Sequence, residues 1–457
     1  MRFSRMALIG ATIAFAAAIG LPAYAAHRSA DTEDYVREPM PPGFQVVATE
    51  LEGPVFADAR ARTFYKWPRK DLRNGNAGEI QYKPTCDSQI FRENVGLMSP
   101  YPGGLELPEA ATRPSCTDVW PPVLASADAK PIGKWTIVER PDGRKQWAHD
   151  GWSLYTSILD TQAGETLGGS PMIGTFNNAG APRIPVGPEA NVPSQFTVTS
   201  TMLGRMVTLR NGWSVYSYDG DNRNKANCTG ACLAGWLPVL AADYARPLGE
   251  WTIFERAPGV KQWAFKGKPV YQHLNDRKTR SQDGSDVRGW SNVYTQRTPE
   301  PPPGFAMKET SAGLVLGDSE GRTVYRYQCY EDTPDQLTCD TPETPQAYRF
   351  AVCGAFDVTR CVKAFPYVVA PANAKTNSQT WGTMYIDPKT GKRATQKQPG
   401  ALHVWTFRAR PVYTFAGDKK PTDVNAHNWG EFNAEWNGFK MLMYRDLYST
   451  RAEAYEP

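Results

Sequence analysis

The chain has no apolar run, after its first residues, that approaches the ~20 residues a membrane-crossing helix needs. Histidine is scarce, five in 457 residues, and none stands in an H-x-H or H-E-x-x-H pattern. There is no phosphate-binding loop, no dinucleotide glycine fingerprint and no Cys-x-x-Cys-His haem attachment. These absences remove the enzyme classes that a local motif defines. A carboxylate pair assembled by the fold stays open, because 47 acidic residues are present. Charge of one sign is also lacking, with 51 basic residues against 47 acidic. Without Arg2 and Arg5 the balance is 49 − 47 = +2, which gives no global field for nucleic acid or anionic lipid.

Those two arginines begin a segment, residues 1–26, that reads as a secretory signal. An apolar stretch runs from Ala7 to Gly20, and Ala23-Tyr24-Ala25 supplies the small-x-small cleavage site. No cysteine lies near that site, so lipid attachment at a mature N-terminal cysteine is not expected. The expectation is a protein exported to the periplasm or beyond. Aromatic residues reach 12%, and 38 Pro with 39 Gly punctuate nearly every segment, which favours short strands and turns over long helices.

Internal comparison reveals the organisation. Residues 133–155 align without gaps on residues 249–271, with 13 of 23 positions identical. A second similarity links segments beginning at Met40, Val192 and Pro301, in which Phe44, Phe196 and Phe305 precede Tyr65, Tyr216 and Tyr325 by 20 or 21 residues. The chain is therefore read as a threefold repeat, with units at 40–165, 192–296 and 301–448. The Gly- and Pro-rich stretch 166–191 reads as an irregular linker. The predicted fold is mainly β: antiparallel meanders, each with a short helix or irregular turn. Trp135-Thr-Ile-Val-Glu139 and Lys145–His149 flank a Pro141-Asp142-Gly143 turn, and Pro258-Gly259 marks its counterpart. Trp135, Trp147, Tyr155, Trp251, Trp263 and Tyr271 form the expected core.

A motif recurs twice in each unit: Tyr, any residue, an aromatic, two residues, then Asp. Its clearest copies are Tyr216-Ser-Tyr218-Asp-Gly-Asp221 and Tyr413-Thr-Phe415-Ala-Gly-Asp418. Tyr271-Gln-His273-Leu-Asn-Asp276 places His at the aromatic position, and Tyr155 with Asp160 keeps only the ends. Tyr65 reaches Asp71 one residue late, and Tyr325 reaches Asp332 two late. With the segments Cys228-Thr-Gly-Ala-Cys232-Leu-Ala-Gly-Trp236 and Cys116-Thr-Asp-Val-Trp120, this resembles the bacterial secreted-repeat family of predicted lipoproteins carrying a Tyr-x-aromatic-x-x-Asp motif. The resemblance implies a repeated fold and an exported location, and brings no activity.

Two roles compete for the motif. Its ends could line a surface that grips a sugar, an aromatic molecule or a hard cation, with Tyr216, Tyr218, Asp221, Tyr271, His273, Asp276, Tyr413, Phe415 and Asp418 as candidate contacts. Alternatively, Tyr216 and Tyr218 pack on one strand face while Asp221 caps the following turn. The eight cysteines of an exported chain point to disulfides. Aligning Cys116, Cys232 and Cys361 pairs them with Cys86, Cys228 and Cys353, and leaves Cys329 with Cys339. Variable spacing at one topological position favours a covalent staple over a metal site. The competing reading makes Cys228 and Cys232 a redox or copper-handling pair, with His273 as a further residue to test. No metal, cofactor or nucleic-acid partner is expected. The sequence is read as an exported envelope binding or scaffolding protein. Redox or metal handling, and an envelope enzyme with a carboxylate site between repeats, are the alternatives.

Overall fold

The computed structural model describes residues 32–72, 75–88, 115–169, 183–201, 203–310, 313–328, 348–376, 378–430 and 438–442. The segment read as a secretory signal and the expected Cys329–Cys339 pairing lie outside them.

Unit 2 gives the plan. A leading hairpin joins Phe196–Thr201 to Gly204–Leu209, whose second strand also pairs with Tyr294–Arg297. The strand Tyr216–Tyr218 then lies between Lys268–His273 and Trp290–Asn292. Beyond it the sheet continues through Val260–Phe265 to Trp251–Ala257, while Trp236–Pro238 pairs with Lys268–His273. Units 1 and 3 repeat the leading hairpin at Gln45–Ala48 with Pro54–Ala57 and at Ala306–Thr310 with Gly313–Gly317. Their meanders are Trp135–Glu139, Lys145–His149, Trp152–Ser153 and Trp381–Ile386, Leu402–Phe407, Arg410–Pro411.

β-branched and aromatic residues fill these strands, and left-handed backbone closes the meander turns. Asp150-Gly151 and Lys266-Gly267 both have positive φ, as two-residue hairpin loops that follow the strand twist require. Unit 3 uses Arg408-Ala409 there, at φ 51° and 56°, without a glycine.

One dipeptide pattern explains how each unit holds two cores. A buried apolar residue precedes every motif tyrosine: Phe64-Tyr65, Leu154-Tyr155, Val215-Tyr216, Val270-Tyr271, Val324-Tyr325 and Val412-Tyr413. Successive strand residues face opposite sides, so the first residue enters one core and the tyrosine the other. In unit 2, Val215 and Val270 join Phe196, Trp251 and Trp263, whereas Tyr216 and Tyr271 join Cys228, Trp236 and Trp290. The tryptophans expected in the core are there, but Tyr155 and Tyr271 belong to the second layer and not to the tryptophan cluster.

Two differences from the sequence reading stand out. The stretch read as linker 166–191 contains Ile184–Pro185, which pairs with Tyr65–Lys66 and closes unit 1. Its Gly- and Pro-rich composition hides a two-residue strand whose partner supplies the alternation. Unit 3 carries two helices, Tyr348–Gly354 and Val358–Ala364, where one was expected. The units also interlock. Leu51, at the tip of unit 1's leading hairpin, is buried with Leu316, Val324, Trp381 and Trp405 of unit 3, and Leu203 from the tip of unit 2's hairpin packs on the same cluster. Beside it, Glu50 accepts from the Ser378 hydroxyl at 2.7 Å and the Thr380 amide at 2.8 Å, and Glu52 from Ser200 at 2.8 Å. Preceding unit 1, Glu33 is buried against unit 2, with Arg205 donating to it at 3.0 and 3.1 Å. Among the described residues no helix is long and apolar enough to cross a membrane.

Candidate functional site: the reciprocal tyrosine–acid motif

Tyr216 and Tyr271 stand directly opposite each other on antiparallel strands, and so do Tyr65 and Tyr155, and Tyr325 and Tyr413. From this position the hydroxyls of Tyr65, Tyr216, Tyr271 and Tyr325 reach the acid of the opposite motif rather than their own. Tyr216 donates to both Asp276 oxygens at 2.9 and 3.0 Å, and Tyr271 donates to Asp221 at 2.7 Å. Tyr65 donates to Asp160 at 2.6 Å, and Tyr325 to Asp418 at 2.7 Å. In unit 1, Tyr155 donates to Glu79. Asp71, the residue expected to complete the first motif, lies in a short strand pairing with Gly75–Ala77, and Glu79 takes the acidic place. Asp332 lies outside the described residues.

The same acids order the loop that follows them. Asp221 accepts from the amides of Asn227 and Cys228 at 2.6 and 3.1 Å. Glu79 accepts from Thr85 and Cys86 at 2.7 and 3.3 Å, Asp160 from Leu167 at 2.8 Å, and Asp418 from Asn425 at 3.0 Å. The expected cap is thus present, but over a span of six or seven residues instead of one turn. Glu79 could have been found by its spacing: it precedes Cys86 by seven residues, as Asp221 precedes Cys228.

The middle aromatic of the motif has its own place. In unit 2, Tyr218 stacks on Trp290, Trp290 on Trp236 at 3.5 Å between ring centres, and Trp236 lies against His273 at 4.6 Å. The two motif aromatics are the outer layers of a four-layer stack. Unit 3 keeps the order as Tyr327, Phe439, Phe365 and Phe415, with the inner pair again 3.5 Å apart, but Tyr327 meets Phe439 edge-on instead of stacking. In unit 1, Arg183 stands across from Trp67, where Trp290 stands across from Tyr218. Its guanidinium lies 4.3 Å from the Trp67 ring centre and 4.7 Å from that of Trp120. A cation replaces the inner aromatic, which the electron-rich indole faces accommodate. Gly220 and Gly417 complete the pattern, since a Cβ at either would fall within 2.4 Å of the Tyr218 or Phe415 ring.

Tyr216, Tyr271 and Tyr413 are fully buried, and Asp221 and Asp276 nearly so. Tyr218, His273, Phe415 and Asp418 are half-buried. Burial, then the neighbouring carboxylate, pushes the Tyr65, Tyr216, Tyr271 and Tyr325 phenols up. Burial likewise raises the carboxyls of Glu79 and Asp276, and holds Asp160 at about 7. His273 Nδ1 lies 3.1 Å from Asp276.

Disulfides join Cys86 to Cys116, Cys228 to Cys232 and Cys353 to Cys361. Arg140 and Arg256 each bond the carbonyl of the first cysteine and a buried glutamine, Gln146 or Gln262, which accounts for the Arg and Gln identities of the two meanders. Among the described residues, no group of three or more His, Cys, Asp or Glu is placed to hold a metal ion.

Three stretches, 136–169, 197–240 and 400–440, match a family described as a secreted repeat of unknown function, one in each unit. No curated protein and no solved structure matches the chain.

Proposed function

We propose that the protein is an exported scaffold of the cell envelope, a braced three-unit body that offers its outer faces to a partner. The observation that carries this reading is the engagement of the motif with itself: the tyrosines and acids that recur through the chain meet one another inside the fold. Exposed apolar residues recur at matching places as well. Leu124, Leu240 and Val369 each stand four residues after Trp120, Trp236 or Phe365. A photo-crosslinking residue placed in turn at 124, 240 and 369 tests this in cells. The scaffold reading expects a discrete adduct from at least one position, lost when a neighbouring exposed leucine becomes aspartate. A protein exported at its normal level without an adduct at any of the three overturns it.

A second reading keeps a small ligand on the outer faces of the stacks. The half-buried state of Tyr218 and Phe415 favours it, because each lies at an outer face of its ring series. A flat sugar or aromatic molecule fits such a face. Quenching of tryptophan fluorescence on titration with simple glycosides, abolished by Tyr218→Ala, is its test.

A further inference from the structure

The three bridges differ in how they meet solvent. Cys86, Cys116, Cys353 and Cys361 are all buried, as is Cys228. Cys232 is half-buried, on the short helix Gly230–Gly235 beside exposed Thr229, Gly230 and Ala231. The loops differ too. The bridge Cys228–Cys232 spans 4 residues, against 30 for Cys86–Cys116 and 8 for Cys353–Cys361. Closing a shorter loop restricts the unfolded chain less, so this bridge adds the least chain-entropy stabilisation of the three.

We propose that Cys228–Cys232 is a thiol-exchange site that accepts two electrons from a dithiol in the envelope. A thiolate of that dithiol attacks Cys232 Sγ, which belongs to the less buried cysteine of the pair. The S–S bond breaks and Cys228 leaves as a thiolate that takes up a proton. The second thiol of the partner attacks the mixed disulfide, releasing Cys232 as a thiol and the partner as its own disulfide. In sum the protein gains two electrons and two protons, and the dithiol loses them.

The surroundings suit a bridge that opens and recloses. The Cys228 amide is held by Asp221 at 3.1 Å and its carbonyl by Arg256, two bonds that do not involve its sulfur. The buried sulfur therefore keeps its place while Cys232, on the exposed turn, moves. The Arg256 guanidinium also brings positive charge to the segment that carries the leaving thiolate. Arg140 does the same for Cys86, but there both sulfurs are buried and the route is shut. Opening the bridge reaches the stack directly, since Cys228 and Cys232 pack with Trp236 and Trp290.

The test is stepwise reduction of the whole native protein with dithiothreitol, trapping with an alkylating reagent and peptide mass mapping. Cys228 and Cys232 are expected to be labelled at a reductant concentration roughly tenfold below that needed for Cys86, Cys116, Cys353 or Cys361. Labelling of any of those four first, or of all of them together, overturns the proposal. Two variants then identify the attacked sulfur. Cys228→Ser keeps Cys232 as a thiol and is expected to form a mixed disulfide with oxidised glutathione roughly tenfold faster than Cys232→Ser, whose remaining sulfur is buried. Equal rates with both variants folded by circular dichroism reject Cys232 as the point of attack.

Discussion

Tyr216 and Tyr271 face each other across two antiparallel strands, and each gives its hydroxyl to the acid that follows the other. The motif is therefore completed across the pair and not along the chain. A phenol buried beside a carboxylate stays protonated and is a fixed donor, which suits a brace better than a proton-transfer group.

Removing one hydroxyl isolates that brace. Tyr216→Phe keeps the ring against Trp236 but takes from Asp276 its bonds at 2.9 and 3.0 Å. Leaving a buried acceptor short of its donor costs about 1–3 kcal/mol. Urea unfolding should show that loss, with the far-ultraviolet spectrum unchanged; an unaltered midpoint would remove the brace from the account of stability.

Asp160 gives a pH signature. Burial holds its carboxyl at about 7, whereas in the unfolded chain it titrates near the ordinary aspartate value of about 3.9. Between those values the folded chain holds a proton that the unfolded chain has released. Its contribution to stability is full below about pH 4 and is lost as pH rises through about 7. The unfolding free energy of the native chain minus that of Asp160→Asn should fall across this window and level off above it. A flat difference contradicts the assignment.

Arg183 is placed by its neighbours' rings as much as by its charge. A lysine keeps the charge but loses the flat guanidinium between Trp67 and Trp120. Arg183→Lys is expected to lower stability by about 1–2 kcal/mol and to change the near-ultraviolet tryptophan signal. The corresponding change at exposed Arg223 should do neither.

The contact between Glu33 and Arg205 ties the segment before unit 1 to unit 2. Arg205→Met leaves the Glu33 carboxylate buried without its cation, a loss on the order of 3–5 kcal/mol. Hydrogen exchange should then rise in Phe196–Thr201 and in Tyr294–Arg297, which flank or pair with the Arg205 strand. Protection unchanged in both would show that the strap is not needed to hold the sheet.

Much of this was legible in the chain. The repeat, the β class, the meander turns and the three described bridges follow from identities and spacings, because each copy must rebuild the same local geometry. The reciprocal bond was not legible. Tyr216 and Asp276 are 60 residues apart, and nothing local distinguishes Asp276 from Asp221 as the partner. Glu79 was missed because only its distance from Cys86 marks it. Arg183 escaped because a cation does the work of a ring, and Ile184–Pro185 because two residues carry no periodicity. The interlocking of units rests on Leu51 and Leu203, which sit at hairpin tips where sequence suggests solvent.

Leu51 also sets an order of events. It belongs to the first unit made, yet its burial needs Leu316, Val324, Trp381 and Trp405, from the last. A chain emerging from its N-terminus carries that leucine uncovered until the final unit has arrived, so folding cannot finish unit by unit as the chain is made. The earliest hairpin to appear is among the last parts of the molecule to be complete.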